Sequence, residues 1–120
     1  MHEDFRLEKA EAKNMSLEVF EKVVAPLLPT TSVLVAFGLG EPFLNKELIE
    51  ILKRAKTINP LTNIFVSTNG TRLSEEISRE IVVGHLIDVL QISIDGAREE
   101  SYAKIRRRAK PGNDYNIVLE

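Results

Sequence analysis

Three short apolar runs punctuate the chain: Ser32 to Phe37, Asn63 to Ser67 and Asp88 to Ile94. Each ends in a glycine-bearing polar cluster, and one helical pattern separates each run from the next. Runs of this length with little polar alternation read as strands buried on both faces, the parallel-sheet kind. A strand–helix–strand rhythm then implies right-handed crossovers and an α/β fold, with parallel strands at about 32–37, 63–67 and 88–94. The near-30-residue period repeats an architecture and not a sequence. No low-complexity tract or linker interrupts it, so one domain, or part of a larger one, accounts for the 120 residues.

The helices between the strands carry their own signals. Ser16 suits an N-cap, Glu18 lies in the first turn, and Met15 and Phe20 occupy the two staple positions around that cap. Leu17, Phe20, Val23, Val24, Leu27 and Leu28 make one apolar face, predicting a helix over 16–28. Pro26 distorts its last turn and Pro29 stops it. Leu48, Ile51, Leu52, Ala55 and Ile58 recur at spacings of three and four, predicting a second helix that Asn59-Pro60 ends. Ser74 caps a third, led by Glu75 and Glu76, and Gly84 is expected to end it in left-handed backbone. A polar, basic helical stretch is expected from about 99 to 108, broken by Pro111-Gly112. Residues 1–14 read as a charged, exposed lead-in.

Composition narrows the function. Sixteen Lys and Arg against 18 Asp and Glu give a net charge of −2, which argues against a dedicated nucleic-acid binder. The longest apolar stretch, Val33 to Leu39, is far too short to span a bilayer, and no secretory signal is visible behind Met1. The cytoplasm is the expected compartment. With no cysteine, the chain itself offers no disulfide, thiol nucleophile or thiolate ligand for a metal cluster. His2 and His85 are isolated, so no metal site is expected, and no Ser–His–Asp set is recognisable.

Chemistry concentrates where the strands end: Gly38-Leu-Gly-Glu-Pro42, Ser67-Thr-Asn-Gly70 and Ser93-Ile-Asp-Gly96. The carboxyl ends of parallel strands open onto the ligand crevice in α/β sheets and barrels. Glycine lets backbone amides and carbonyls approach a ligand there, and Ser, Thr, Asn, Asp and Glu add directional hydrogen bonds. Any one cluster is explained equally well by turn chemistry. Three on one rim point to a polar, zwitterionic or ribose-bearing small molecule. Neither a third dinucleotide-loop glycine nor a Walker Lys-Ser/Thr pair is present.

In order and spacing, these segments resemble the radical S-adenosylmethionine (radical SAM) enzymes. Met-Ser-Leu-Glu at 15–18 resembles the start of that family's first helix, and Gly38 to Asn45 its GxGEP segment. Ser67-Thr-Asn-Gly-Thr-Arg-Leu73 resembles its TNG turn. Ile92-Ser-Ile-Asp-Gly96 with residues 99–106 resembles its fourth-strand segment and the Arg that closes it. The style is similar to the SPASM-type branch, which modifies peptides or other large substrates.

The resemblance implies a partial (β/α)6 TIM-like barrel around a 4Fe–4S cluster held by a C-x3-C-x2-C loop. S-adenosylmethionine bound there is cleaved reductively to a 5′-deoxyadenosyl radical that abstracts hydrogen from substrate. An electron donor such as flavodoxin or ferredoxin is implied as partner, with no nucleic acid or membrane. Carried onto this sequence, backbone at Gly38, Gly40 and Glu41 faces the methionyl ammonium, with the Glu41 carboxylate as charge partner and Pro42 pinning the turn. Thr68 and Asn69 approach the adenosine or methionyl part. Ser93 donates to the ribose or carboxylate, Asp95 braces that loop, and Arg106 pairs with the methionyl carboxylate. No catalytic or metal-ligating residue is assigned.

The family's cysteine loop has no counterpart in these residues. The chain is therefore expected to be an incomplete radical SAM core domain, residues 1–120, running from the first helix to just past the fourth strand. Alone, it is expected to be inactive and to self-associate through exposed sheet edges. The alternative is a non-redox S-adenosylmethionine-binding or scaffold protein derived from the same fold.

Overall fold

A computed structural model of the protein describes residues 14–38 and 40–94. In chain order these form helix α1 (Leu17–Val23), strand β1 (Val33–Val35), helix α2 (Leu48–Ile58), strand β2 (Asn63–Thr68), helix α3 (Glu75–Val83) and strand β3 (Val89–Ile92). Two 3-10 turns, Ala25–Thr30 and Pro42–Leu44, complete the set. The helical stretch expected near 99–108 and the lead-in over 1–13 lie outside the described residues.

The strands pair in parallel in the order β1-β2-β3, with Leu34 opposite Ile64 and Val66 opposite Leu90. Both connections therefore step in the same direction across the sheet. Right-handed crossovers then place α2 and α3 on one and the same face, as in a singly wound barrel. The core agrees: Phe20, Leu28, Leu52, Ala55 and Ile81 from the helical layer close on Ile64 and Val66 of β2. β2 alternates accordingly, with Ile64, Val66 and Thr68 buried and Asn63, Phe65 and Ser67 turned to the other face. The fold is thus α/β, three parallel strands alternating with helices in the manner of a partial TIM-like barrel.

Local chemistry explains the boundaries. The Ser16 hydroxyl accepts from the Val19 amide, and the Glu47 carboxylate accepts from the Leu17 amide at 2.7 Å, so two orphan donors of α1 are satisfied. The helix predicted over 16–28 is shorter as α-helix. Pro26 lacks the N–H that would bond Lys22, and the chain tightens into the 3-10 turn Ala25–Thr30. Ser74 caps α3 through the Ile77 amide, as expected.

The expected left-handed glycine at the end of α3 needs correction. Gly84 stays right-handed at φ −81°, and His85 takes the positive φ of 47°. The bonds His85 N–H to Val82 carbonyl and Leu86 N–H to Ile81 carbonyl form a Schellman motif with His85 at its left-handed position. Gly84 is needed for another reason: a Cβ there would lie 2.9 Å from the Glu80 carbonyl oxygen and from Leu86 Cγ.

At the amino-terminal end of the sheet, Lys56 and Asp88 fasten the layers. Lys56 Nζ donates to Asp88 Oδ2 at 2.7 Å and to the Thr62 carbonyl, and the Ile64 amide donates to the same Asp88 oxygen. Asn59 and Thr62 reach the Thr31 carbonyl from the other side and fix the approach to β1.

Candidate functional site

Gly38, Gly40, Glu41 and Pro42 follow β1, Thr68 and Asn69 close β2, and Ser93 follows β3, so the parallel order brings all of them to the carboxyl edge of one sheet. Hydrogen bonds join the three loops. Glu41 Oε1 accepts from the Thr68 hydroxyl at 2.5 Å and from the Phe43 amide, and Oε2 accepts from the Asn69 amide at 2.8 Å. The Thr68 carbonyl in turn accepts from the Ser93 amide at 2.8 Å. One path of bonds therefore runs Glu41–Thr68–Ser93 across the sheet end. Asp95 and Arg106 lie outside the described residues.

Each residue has an evident local cause. Glu41 is the N-cap of the 3-10 turn Pro42–Leu44, and Pro42, with no N–H to satisfy, starts that turn. Gly40 sits at φ 141°, backbone that side-chain-bearing residues rarely adopt. No described residue lies within 4 Å of where a Cβ at Gly38 would stand, so none of them closes off its backbone there. Thr68 is 2% exposed, and its hydroxyl both donates to Glu41 and accepts from the Gly70 amide at 3.0 Å. Asn69 folds back on itself: its Oδ1 accepts from the amide and the hydroxyl of Thr71, which shapes the turn through Gly70 at φ 77°.

Two features were not picked out from the sequence. Asn45 Nδ2 donates to the Met15 carbonyl at 2.8 Å, and with the Glu47–Leu17 bond this latches the segment after β1 to the start of α1. An Asn two residues before a Glu reads in sequence only as a turn. Gln91 shares its register with Ser67 on the sheet face opposite the helices, one step from Ser93 along that face. Strand alternation was the available signal. That face also carries Asn63 and the apolar Val33, Val35, Phe37 and Phe65, and the two Phe rings meet edge to face at 5.4 Å between centroids. Grooves beside α3, lined by Ser74, Glu76 and Val83 or by Lys53, Lys56 and Gly84, include none of the rim residues.

The arrangement places the backbone of Gly38 and Gly40, Ser93 and the Asn69 Nδ2 beside a largely apolar sheet face. Among the described residues it shows no nucleophile–base pair. Among the described residues no group of three His, Cys, Asp or Glu is disposed to hold a metal ion. No helix of the described residues is long and apolar enough to cross a membrane.

The model of the radical SAM superfamily matches residues 6–120. GTP 3′,8-cyclase of Limosilactobacillus fermentum is 32% identical over 81 residues, covering 68% of this chain and 23% of that protein. The enzyme of the same name from Lactiplantibacillus plantarum gives the same identity and coverage. That of Chlorobaculum tepidum is 27% identical over 103 residues, 84% of this chain and 31% of the relative. The chain thus spans about a quarter to a third of the length of these relatives. No solved structure matches.

Proposed function

The chain belongs to the radical SAM superfamily, a family of enzymes, and from that premise we propose that its three strand-end loops form part of an S-adenosylmethionine-binding rim. Backbone at Gly38, Gly40 and Glu41 is assigned to the methionyl ammonium, with Pro42 holding the turn. Thr68 and Asn69 are assigned to the adenosine or methionyl part, Ser93 to the ribose or carboxylate, Asp95 to bracing the Ser93 loop, and Arg106 to the methionyl carboxylate. The observation that carries this reading is the bond path Glu41–Thr68–Ser93, which holds loops far apart in sequence at one sheet edge.

The residues present fit S-adenosylmethionine. Open space at Gly38 and the φ of Gly40 leave backbone carbonyls and amides for an ammonium and a carboxylate, which need fixed acceptors and donors. Bound in this superfamily, S-adenosylmethionine supplies the bond whose reductive cleavage leads to hydrogen abstraction. The chain's own groups bind it, orient it and shield it. They do not fit a 4Fe–4S cluster, because the sequence holds no cysteine. Cluster ligation is therefore assigned to residues other than these 120.

The motifs resemble the SPASM-type branch, whereas the curated relatives bear the name GTP 3′,8-cyclase. The reading accordingly assigns cofactor binding within the superfamily's chemistry and builds neither a peptide nor a nucleotide substrate into it. A one-electron reductant of the flavodoxin or ferredoxin kind is the proposed partner, and the cytoplasm the proposed location. The absent thiolates favour a second reading, a non-redox S-adenosylmethionine-binding or scaffold protein. Titration calorimetry with S-adenosylmethionine tests the rim: saturable one-to-one heat is expected, and its absence overturns the assignment. Anaerobic reconstitution with iron and sulfide is expected to give no cluster absorbance, and a stable cluster overturns the assignment of its ligands elsewhere.

A further inference from the structure

We infer that the Glu41 carboxylate is a positioning group that locks the loop after β1 to the loop after β2, setting the spacing of the rim instead of meeting the ligand's ammonium itself. The inference deepens the rim reading and rests on it. A carboxylate offers about four acceptor positions. Three of them in Glu41 are taken by the chain: the Phe43 amide, the Thr68 hydroxyl and the Asn69 amide. The first bond is local and caps the turn Pro42–Leu44. The other two span 27 and 28 residues and fix where β2's loop stands relative to β1's.

Burial makes the lock stiff. Thr68 is 2% exposed, so water cannot readily replace Glu41 as acceptor for its hydroxyl, and an unmet buried donor is costly. The same hydroxyl accepts from Gly70, so one contact holds both the carboxylate and the turn that presents Asn69. Side-chain length matters as well. Glu spans the gap between the loops with both oxygens engaged. Loops held in register before a ligand arrives avoid the cost of ordering them on binding.

The test uses the full chain and two probes, S-adenosylmethionine and 5′-methylthioadenosine, which keeps the adenosine but lacks the amino-acid end. Glu41→Gln keeps length yet places an NH2 where an acceptor stood, and Thr68→Val removes the hydroxyl from the other side. Each variant is expected to weaken both probes by about tenfold or more, and the double variant no further than either single, the signature of one shared interaction. Amide exchange at Asn69 is expected to quicken about tenfold in Glu41→Gln without any ligand. Thr68→Ser, which keeps the hydroxyl, is expected to retain the slow wild-type exchange at Asn69. If Glu41→Gln weakens S-adenosylmethionine and leaves 5′-methylthioadenosine untouched, the carboxylate is a direct ammonium partner and the positioning role falls. Unchanged Asn69 exchange also overturns it. If the wild-type chain binds neither probe, the rim reading fails, and the exchange measurement still decides the lock.

Discussion

Gly84 and His85 exchange the roles that composition suggests for them, and the exchange has measurable consequences. A methyl group at Gly84 would press on the Glu80 carbonyl oxygen and on Leu86, which is buried in the core cluster. Gly84→Ala is therefore expected to cost about 1–3 kcal/mol, as overpacking against backbone does. His85 carries the left-handed residue of the Schellman turn at φ 47°. Relief of that conformation is worth roughly 1–2 kcal/mol, and the added freedom of glycine in the unfolded chain returns roughly 0.5–1 kcal/mol. His85→Gly is thus expected to stabilise by about 0.5 kcal/mol in urea titrations, opposite in sign to its neighbour's substitution. Equal signs would mean that the turn is built otherwise. Sequence could not separate the two residues, since a Gly-His pair after a helical pattern fits either position. Glu41 was opaque for a related reason: beside a glycine loop, a carboxylate aimed at a ligand and one aimed at Thr68 read alike.

Elements were far more legible than side-chain directions. The order of three strands and three helices follows from period-2 and period-3.6 patterns with Ser16, Ser74 and Asn59 as punctuation, and the structure follows it within a few residues. The ties between elements were not legible, because ion pairs such as Lys56–Asp88 join residues 32 apart that no local pattern links. That tie predicts a pH dependence. Burial pushes the Asp88 carboxyl up, but the Ile64 amide and the Lys56 ammonium pull it further down, leaving it below its ordinary 3.8. A carboxyl depressed in the folded state contributes stability in full above its unfolded value, and loses it as pH falls through the folded value. Wild type is therefore expected to be more stable than Asp88→Asn at pH 6, with the gap closing as pH drops below 3.8. The variant keeps an oxygen for the Ile64 amide and loses only the charge. A gap independent of pH would assign the effect to packing.

At the scale of the molecule, the helix layer of the described residues is closed, and no described helix covers the opposite sheet face. Val35 and Val89 flank Phe65 across the three strands on that face, and stand 52% and 51% exposed. β1 and β3 are the outer strands of the described sheet, each with one side of its backbone unpaired by another described strand. An apolar face bordered by free strand edges is a template for association. At about 25 cal/mol per Å², covering several hundred Å² of it is worth on the order of 10 kcal/mol, as much as an ordinary domain's whole stability. The 13.5 kDa chain is accordingly expected to run in size-exclusion chromatography with light scattering as concentration-dependent oligomers. Charge on the face is expected to reverse this. Val35→Glu with Val89→Glu touches two positions already half in water, so the helix-side core of Leu52, Ile64 and Val66 should survive. The doubly substituted chain is expected to shift toward monomer with its far-UV circular dichroism unchanged. A wild-type chain that elutes as a monomer at all concentrations and melts cooperatively would mean that the open face costs little. The strand ends would then be presented by a unit complete enough to bind ligand alone.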